Sequence, residues 1–140
     1  TYSRLCRAAW WASHADIPYI ATNPDWVCPT DEQTILVDCG SLCKAIEGAT
    51  KRKPDVVIGK PNPNMLWCIR DKYKLHDDEI AMVGDRIYTD VATAQNAGSF
   101  GVLVLSGETT LDVSLTYKRQ PDLTAASIKE LGELLLEAHS

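Results

Sequence analysis

Hydrophobic and polar positions follow one pattern in the first third of the chain and a different one after it. In the first third, apolar residues at helical spacing predict helices over residues 5–13 and 42–49, with Ser41 as the expected cap of the second helix. Residues 17–22 predict a short strand, and residues 34–38 predict a second strand or an extended loop. These elements are short, and none carries an obvious chemical motif.

From Val56 onward, continuous apolar runs bounded by turn residues indicate strands that are covered on both faces. Such runs occupy residues 56–58, 80–83, 101–105 and 121–126. Helical patterns separate or follow them, over residues 63–73, 90–96 and 127–138. Alternation of apolar strands with helices predicts an α/β fold with a parallel sheet.

Signals at the helix ends refine this prediction. Asn62 is placed to cap the first of the three later helices, with Pro63 in its first turn. The buried stripe of that helix is expected at Met65, Leu66, Ile69 and Tyr73. Thr89 is expected to cap the second helix, and Gly98 stands where a glycine commonly ends one.

Composition narrows the class of protein. The chain has 140 residues, of which 45% are hydrophobic, and this ordinary apolar content with a small net charge of −5 excludes disorder. With 14 basic against 19 acidic side chains, the charge balance argues against a nucleic-acid partner. No apolar run approaches the roughly 18 residues of a membrane span, so we expect no membrane association. The start of the chain lacks a signal-peptide pattern, and the five cysteines show no metal-binding spacing. Free thiols then predict a reducing compartment, the cytoplasm.

Two acidic residues mark the end of one predicted strand. Asp85 follows residues 80–83 and Gly84, and Asp90 comes five residues later in the first turn of a predicted helix. Ligands of parallel sheets bind beyond the carboxyl ends of the strands, and paired carboxylates there suit a hard cation such as Mg²⁺. The alternative is structural, with one aspartate capping a turn and the other facing a helix dipole.

Lys60 adds a positive charge before a predicted helix N-terminus, which by itself attracts anions. Taken alone, Lys60 is more simply interpreted as a solvated loop lysine. In combination with Asp85 and Asp90, however, it favours a site in which the lysine holds a phosphate against a metal ion.

These motifs resemble those of a known family. Residues 59–63 (GKPNP) and 82–90 (MVGDRIYTD) resemble the third and fourth motifs of haloacid-dehalogenase-like (HAD) hydrolases. Residues 19–25 (YIATNPD), together with 29–30, 40–41 and 105–109, resemble the branch that contains p-nitrophenylphosphatase-like and phosphoglycolate-phosphatase-like enzymes. In that branch an α/β cap domain is inserted in a Rossmann-like core.

The resemblance implies a Mg²⁺-dependent phosphatase that hydrolyses small phosphate monoesters through a phosphoaspartate. Residues 1–55 would be the C-terminal part of the cap, and residues 56–140 the C-terminal half of the core with its Rossmann-like parallel sheet. The implied catalytic residues are Lys60, Asp85 and Asp90. Lys60 would bind the phosphoryl group, and Asp85 would be a metal ligand. Asp90 would orient that ligand or its waters, and is therefore assigned to the metal site as well. Substrate-binding roles are implied for Lys60, Asn23, Asp25 and Asn62. The expected partner is a small phosphorylated metabolite.

The family's nucleophile and acid/base aspartates lie before the cap and have no match here. Asp38 superficially resembles a nucleophile, but Gly40 stands at the acid/base position and only 22 residues separate Asp38 from Lys60. We therefore expect the C-terminal portion of a longer phosphatase, inactive alone. Its strand at residues 80–83 would then be an exposed edge, paired by a homodimer partner or a second chain.

Two other functions compete with this expectation. The main alternative is a non-catalytic α/β module that binds or regulates a partner. A nucleotide-binding Rossmann domain is disfavoured, because the GxGxxG fingerprint is absent.

Overall fold

A computed structural model describes all residues of the chain, Thr1–Ser140. The chain forms two compact units, Thr1–Gly59 and Lys60–Ser140. Both combine helices with strands, and the predicted α/β class with parallel strands is confirmed. None of the helices is both long and apolar enough to cross a membrane.

The first unit contains two helices and two small sheets. Its elements are α1 (Tyr2–Ala12), β1 (Ile20–Ala21), β2 (Val27–Cys28), β3 (Leu36–Val37), α2 (Cys39–Thr50) and β4 (Val56–Val57). Strand β1 pairs in parallel with β4, and β2 pairs antiparallel with β3. Strand β4 belongs to the first unit, whereas the predicted domains divide after residue 55. That the two units are a cap and a core stays a prediction.

Arg52 joins three segments of the first unit. Its guanidinium donates hydrogen bonds to the carbonyl oxygens of Ala12 and His14, at the end of α1, and to that of Ile17, before β1. It also pairs with Asp55 at 2.7 Å, and Asp55 in turn accepts the backbone N–H of Tyr19. These charge-assisted bonds satisfy carbonyl groups that the ends of α1 and its following loop would otherwise leave unpaired.

The second unit is built on a parallel sheet. Its elements are α3 (Asn64–Tyr73), β5 (Ala81–Gly84), α4 (Ala92–Ala97), β6 (Phe100–Val104), α5 (Leu111–Thr116), β7 (Leu123–Ala125) and α6 (Ile128–Ala138). The strand order is β5-β6-β7, with all pairs parallel, so the three carboxyl ends share one edge. Strand β5 lies at the side of this sheet with one edge unpaired, as expected for residues 80–83.

Apolar side chains cover both faces of that sheet in three buried clusters. One cluster joins Leu66, Ile80 and Ala97, another Ile87, Val91 and Leu103, and the third Val102, Ala125 and Leu131. Trp67 packs against the first cluster, and its ring N–H donates to the Ala97 carbonyl at 3.3 Å. Burial of these side chains supplies the main driving force that holds strands β5, β6 and β7 in place.

Several predicted details of the helices are wrong. Helix α2 is capped by Asp38, whose side chain accepts the Cys39 N–H, while the Ser41 hydroxyl donates to the Trp26 carbonyl. Thr89 caps nothing, because a π-turn, residues 87–91, precedes α4. Of the predicted stripe on α3, Leu66 is buried, but three members are substantially exposed: Met65, Ile69 and Tyr73. Gly98 does end α4, with a φ of 78°.

Candidate active site

Asp85 follows β5 directly, at the edge where the parallel strands end. Its Oδ2 accepts the backbone N–H of Glu108 at 2.8 Å, and its carbonyl oxygen accepts that of Thr109 at 3.1 Å. The segment after β6 therefore holds the Asp85 turn from the side. The second carboxylate oxygen, Oδ1, accepts no hydrogen bond from the chain.

Gly84 and Gly107 allow the carboxylates of Asp90 and Asp85 to lie against the backbone. A Cβ built on Gly107 would come within 2.2 Å of Asp85 Oδ2, and one built on Gly84 within 2.3 Å of the Asp90 side chain. Such separations are far below van der Waals contact, so neither position has room for a side chain unless its aspartate moves.

Asp90 is buried and has both carboxylate oxygens engaged. Its Oδ1 lies 2.7 Å from Lys60 Nζ, and its Oδ2 accepts the backbone N–H of Arg86 at 3.1 Å. The π-turn over residues 87–91, a geometry often found at functional sites, places the carboxylate against the turn that carries Asp85. Lys60, with 41% of its side chain exposed, is thereby held with its ammonium group beside this turn.

The arrangement combines a positive donor with an open carboxylate. An ammonium group has three N–H donors, and Asp90 uses one of those of Lys60, which leaves two for an oxyanion. Asp85, Asp90 and Lys60 together carry a net charge of −1, which an added cation would offset. No group of three or more His, Cys, Asp or Glu side chains is arranged to hold a metal ion. Mg²⁺, however, commonly takes one or two carboxylates plus waters and phosphate oxygens.

The carboxylates of Asp85 and Asp90 differ in how well their oxygens could bind a hard cation. Asp85 Oδ1 is a free carboxylate oxygen, the donor type that Mg²⁺ prefers. Asp90 has no free oxygen, so its contacts suit the predicted orienting role better than direct ligation.

Sequence reasoning assigned no role to several residues that support the site. Glu108 forms an ion pair with Arg86 and accepts a hydrogen bond from the Tyr88 hydroxyl. The buried Thr109 hydroxyl accepts the Ile87 N–H at 3.2 Å. The sequence does indicate that these residues lie near the site, because residues 106–109 follow a buried strand and the carboxyl ends of parallel strands meet at one edge of the sheet.

The predicted substrate-binding residues have local structural contacts. In the first unit, Asn23 accepts the Asp25 N–H at 2.9 Å and donates to Asp38 at 3.3 Å, while the Asp25 side chain is exposed. In the second unit, Asn62 accepts the Asn64 N–H at 2.9 Å, where α3 begins. These contacts leave the predicted roles in substrate binding untested.

Asp38 serves as a structural residue of the first unit. It precedes α2 and accepts hydrogen bonds from the Cys39 N–H and the Asn23 side chain, and these contacts, with the Cys28 thiol, lower the pKa of its carboxyl. The strand before it, β3, is antiparallel to its neighbour rather than part of a parallel sheet.

Comparison with known proteins identifies related sequences and structures. The family model described as HAD-hydrolase-like matches residues 57–131. The chain is 38% identical over 114 residues to phosphoglycolate phosphatase 1A, chloroplastic, of Arabidopsis thaliana, covering 80% of this chain and 31% of the relative. It is 35% identical over 113 residues to ribonucleotide monophosphatase NagD of Escherichia coli K12, covering 81% and 43%.

Solved structures agree with the sequence matches. The 4-nitrophenylphosphatase of Thermotoga maritima superposes with a TM-score of 0.84 at 41% sequence identity, covering 95% of this chain and 50% of that one. The chain thus spans less than half the length of these curated relatives and half the length of this solved structure.

Proposed function

We propose, since this chain belongs to the HAD-like hydrolase family, that it is part of a Mg²⁺-dependent phosphatase that hydrolyses small phosphate monoesters. The observation that carries the proposal is the Lys60–Asp90 ion pair, held against the turn that presents Asp85. Phosphatase names among the relatives support the reaction class, and the open Asp85 Oδ1 supports the choice of a hard cation.

Each residue has a distinct role in this proposal. Lys60 donates hydrogen bonds to the phosphoryl oxygens and offsets the charge that develops on them in the transition state. Asp90 is a positioning residue, because it fixes the Lys60 ammonium and leaves two of its N–H groups free. Asp85 is the proposed metal ligand. Mg²⁺, when bound there, would neutralise negative charge on the phosphoryl group.

The attacking aspartate, which would form a phosphoaspartate, is proposed to lie outside this chain. Asp38 is engaged in capping α2, which supports its exclusion as the nucleophile. The chain alone should therefore not turn over p-nitrophenyl phosphate in the presence of Mg²⁺. Turnover that Asp38→Asn abolishes would contradict this part of the proposal.

The test of the site uses Lys60→Ala in the longer protein. We expect kcat for p-nitrophenyl phosphate to fall by about 10²-fold or more, because the charge stabilisation acts mainly in the transition state. Lys129→Ala is the matched control, since the Lys129 side chain is 85% exposed on α6 of the same unit, and it should leave kcat unchanged. A change in KM with kcat unaltered would contradict the role of Lys60. If the unmodified longer protein shows no turnover, the alternative of a non-catalytic module is favoured.

We also infer a reducing location, the cytoplasm. All five cysteines are free, and two of them are exposed, Cys6 and Cys68, which supports a compartment in which thiols stay reduced. A tagged full-length protein recovered from a secreted or oxidising fraction would contradict this inference.

A further inference from the structure

Three half-buried thiols lie together in the first unit, outside the proposed phosphate site. Cys28 lies on β2, and Cys39 and Cys43 lie one helical turn apart in α2. The sulfur atoms of Cys39 and Cys43 are 3.9 Å apart. Nothing in the proposed phosphatase reaction uses these thiols.

The surroundings of Cys39 favour its thiolate. Cys39 is the first residue of α2, where the helix dipole stabilises negative charge. Burial disfavours the thiolate, but hydrogen bonds from the Asn23 and Thr22 backbone, from the Thr22 hydroxyl and from Cys43 outweigh it and lower the pKa of Cys39. A cysteine that receives several hydrogen bonds at a helix N-terminus has the environment of a reactive thiol.

The two neighbouring thiols have the opposite tendency. A hydrogen bond to the Asp38 carboxylate raises the pKa of Cys28, and burial raises the pKa of Cys43. The Tyr19 hydroxyl is also buried, and burial together with the nearby Cys43 raises its pKa well above the ordinary value. Within this cluster, the structure therefore favours one nucleophilic sulfur beside a protonated one.

A small molecule has a route to Cys43, whose sulfur lies 3.9 Å from that of Cys39; Cys39 itself does not line the cavity. A cavity of about 250 Å³ in the first unit is lined by Asn23, Gly40 and Cys43, among other residues. Its lining is mainly apolar, with Trp26 and Pro54 among the contributing side chains, and it opens to solvent. A small, uncharged oxidant is the class of reagent that such a cavity admits readily.

We propose that Cys39 is a site of oxidation by hydrogen peroxide and that Cys43 resolves the product as a disulfide. The Cys39 thiolate attacks one peroxide oxygen, so that the S–O bond forms, the O–O bond breaks, and the departing hydroxide takes a proton from solvent. The Cys43 sulfur then attacks the Cys39 sulfur, the S–S bond forms, and the sulfenic oxygen leaves as water with the Cys43 proton. Two thiols are oxidised and one peroxide is reduced to two waters.

The geometry allows this disulfide with a local change. In an α-helix, residues four apart have Cα atoms about 6.2 Å apart, inside the range that disulfides span. Their Cβ atoms, however, are about 5–6 Å apart, whereas a disulfide needs about 3.5–4.5 Å, so the first turn of α2 has to unwind. The sulfur atoms must approach from 3.9 Å to about 2 Å. Because Cys39 begins α2, the movement would disturb one terminal turn and the Asp38 cap rather than the helix interior.

The test treats the protein with hydrogen peroxide at neutral pH and cleaves it on the amino side of aspartate. The peptide of residues 38–54 contains Cys39 and Cys43 and no other cysteine. We expect this peptide to become lighter by two hydrogens, about 2 Da, and to recover its mass with a dithiol reductant. Cys39 should be consumed at least about tenfold faster than either of the exposed cysteines, Cys6 and Cys68.

Variants separate the two roles. Cys43→Ser should leave the rate of Cys39 oxidation unchanged but accumulate a sulfenic acid that dimedone traps, and Cys39→Ser should leave peptide 38–54 unoxidised. Cys28→Ser is the matched control and should behave as the unmodified protein does. Thr22→Val removes one donor to the thiolate and should slow the reaction roughly two- to tenfold, whereas Thr22→Ser should not.

Two results would overturn the proposal. In one, Cys6 or Cys68 reacts as fast as Cys39, so that exposure alone governs reactivity. In the other, peptide 38–54 keeps both thiols while other cysteines are oxidised. Neither outcome depends on phosphatase activity, so the proposed function is tested separately.

Discussion

At the scale of single residues, the candidate site depends on two positions where only a hydrogen atom fits. Gly84 faces the Asp90 carboxylate, and Gly107 faces that of Asp85. The aspartates can contact the backbone of the site's turns because these two residues have no Cβ. A side chain at either position would collide with the carboxylate that faces it and displace it from the site.

Gly84→Ala should therefore destabilise the second unit. The added methyl group meets the Asp90 side chain at 2.3 Å, so we expect the free energy of unfolding to fall by about 1–3 kcal/mol, as overpacking commonly costs. Gly132→Ala is the control, because nothing lies within 4 Å of its new Cβ in α6, and it should raise stability by about 0.5–1 kcal/mol. Urea unfolding compares the two, and equal effects would contradict the role of Gly84.

The residues of the site could be predicted more readily than their contacts. Asp85 and Asp90 stand in a motif that follows a predicted parallel strand, at the edge where ligands of such sheets bind, and Lys60 stands before a predicted helix N-terminus. That Lys60 pairs with Asp90, so that both Asp90 oxygens are engaged, could not be predicted, because it depends on the π-turn. A single inserted residue in a helix leaves little trace in hydrophobic periodicity.

At the scale of secondary-structure elements, Arg52 connects the end of α1, the segment before β1 and the segment before β4. Its bonds reach residues up to 40 positions away in sequence, which no local pattern predicts. The two-residue strand β2 had no prediction for a related reason, since two residues are too few to establish the alternation that marks a strand. Longer elements such as α6 were predicted almost to the residue.

Replacement of Arg52 by lysine should weaken the first unit. Lysine keeps the charge but not the planar fork that bonds several oxygens at once, so we expect a loss of roughly 2–3 kcal/mol in the free energy of unfolding. Arg4→Lys, on the exposed side of α1, provides the same chemical change without these bonds and should have almost no effect. A chemical denaturation series in which both variants match the parent would contradict the role of Arg52.

At the scale of the whole molecule, β5 matters because it is the longer of the two edge strands of the second unit's sheet and leaves one edge unpaired. Its N–H and C=O groups can pair with another strand, and unprotected edges promote association between chains. No proline or charged residue in β5 blocks such pairing. Loop and helix positions on the surface lack this capacity, because their backbone groups are bonded or hydrated.

Ala81→Lys should therefore reduce self-association of the chain. Ala81 is exposed on β5, and a charge on an edge strand opposes pairing, so the concentration at the midpoint of association should rise by about tenfold or more. Leu136→Lys is the control, since Leu136 is 75% exposed on α6. Sedimentation velocity compares the variants. If Leu136→Lys has the larger effect, association proceeds through the helix face instead of the strand edge.

The position of Trp67 gives the second unit its own optical signal. The other three tryptophans, Trp10, Trp11 and Trp26, all lie in the first unit, so Trp67 is the single tryptophan of residues 60–140. Its ring packs beside Leu66, Ile80 and Ala97, so the wavelength of its fluorescence emission depends on whether that cluster is intact. With phenylalanine at the three other positions, emission would follow the melting of the unit that carries Lys60, Asp85 and Asp90, independently of the first.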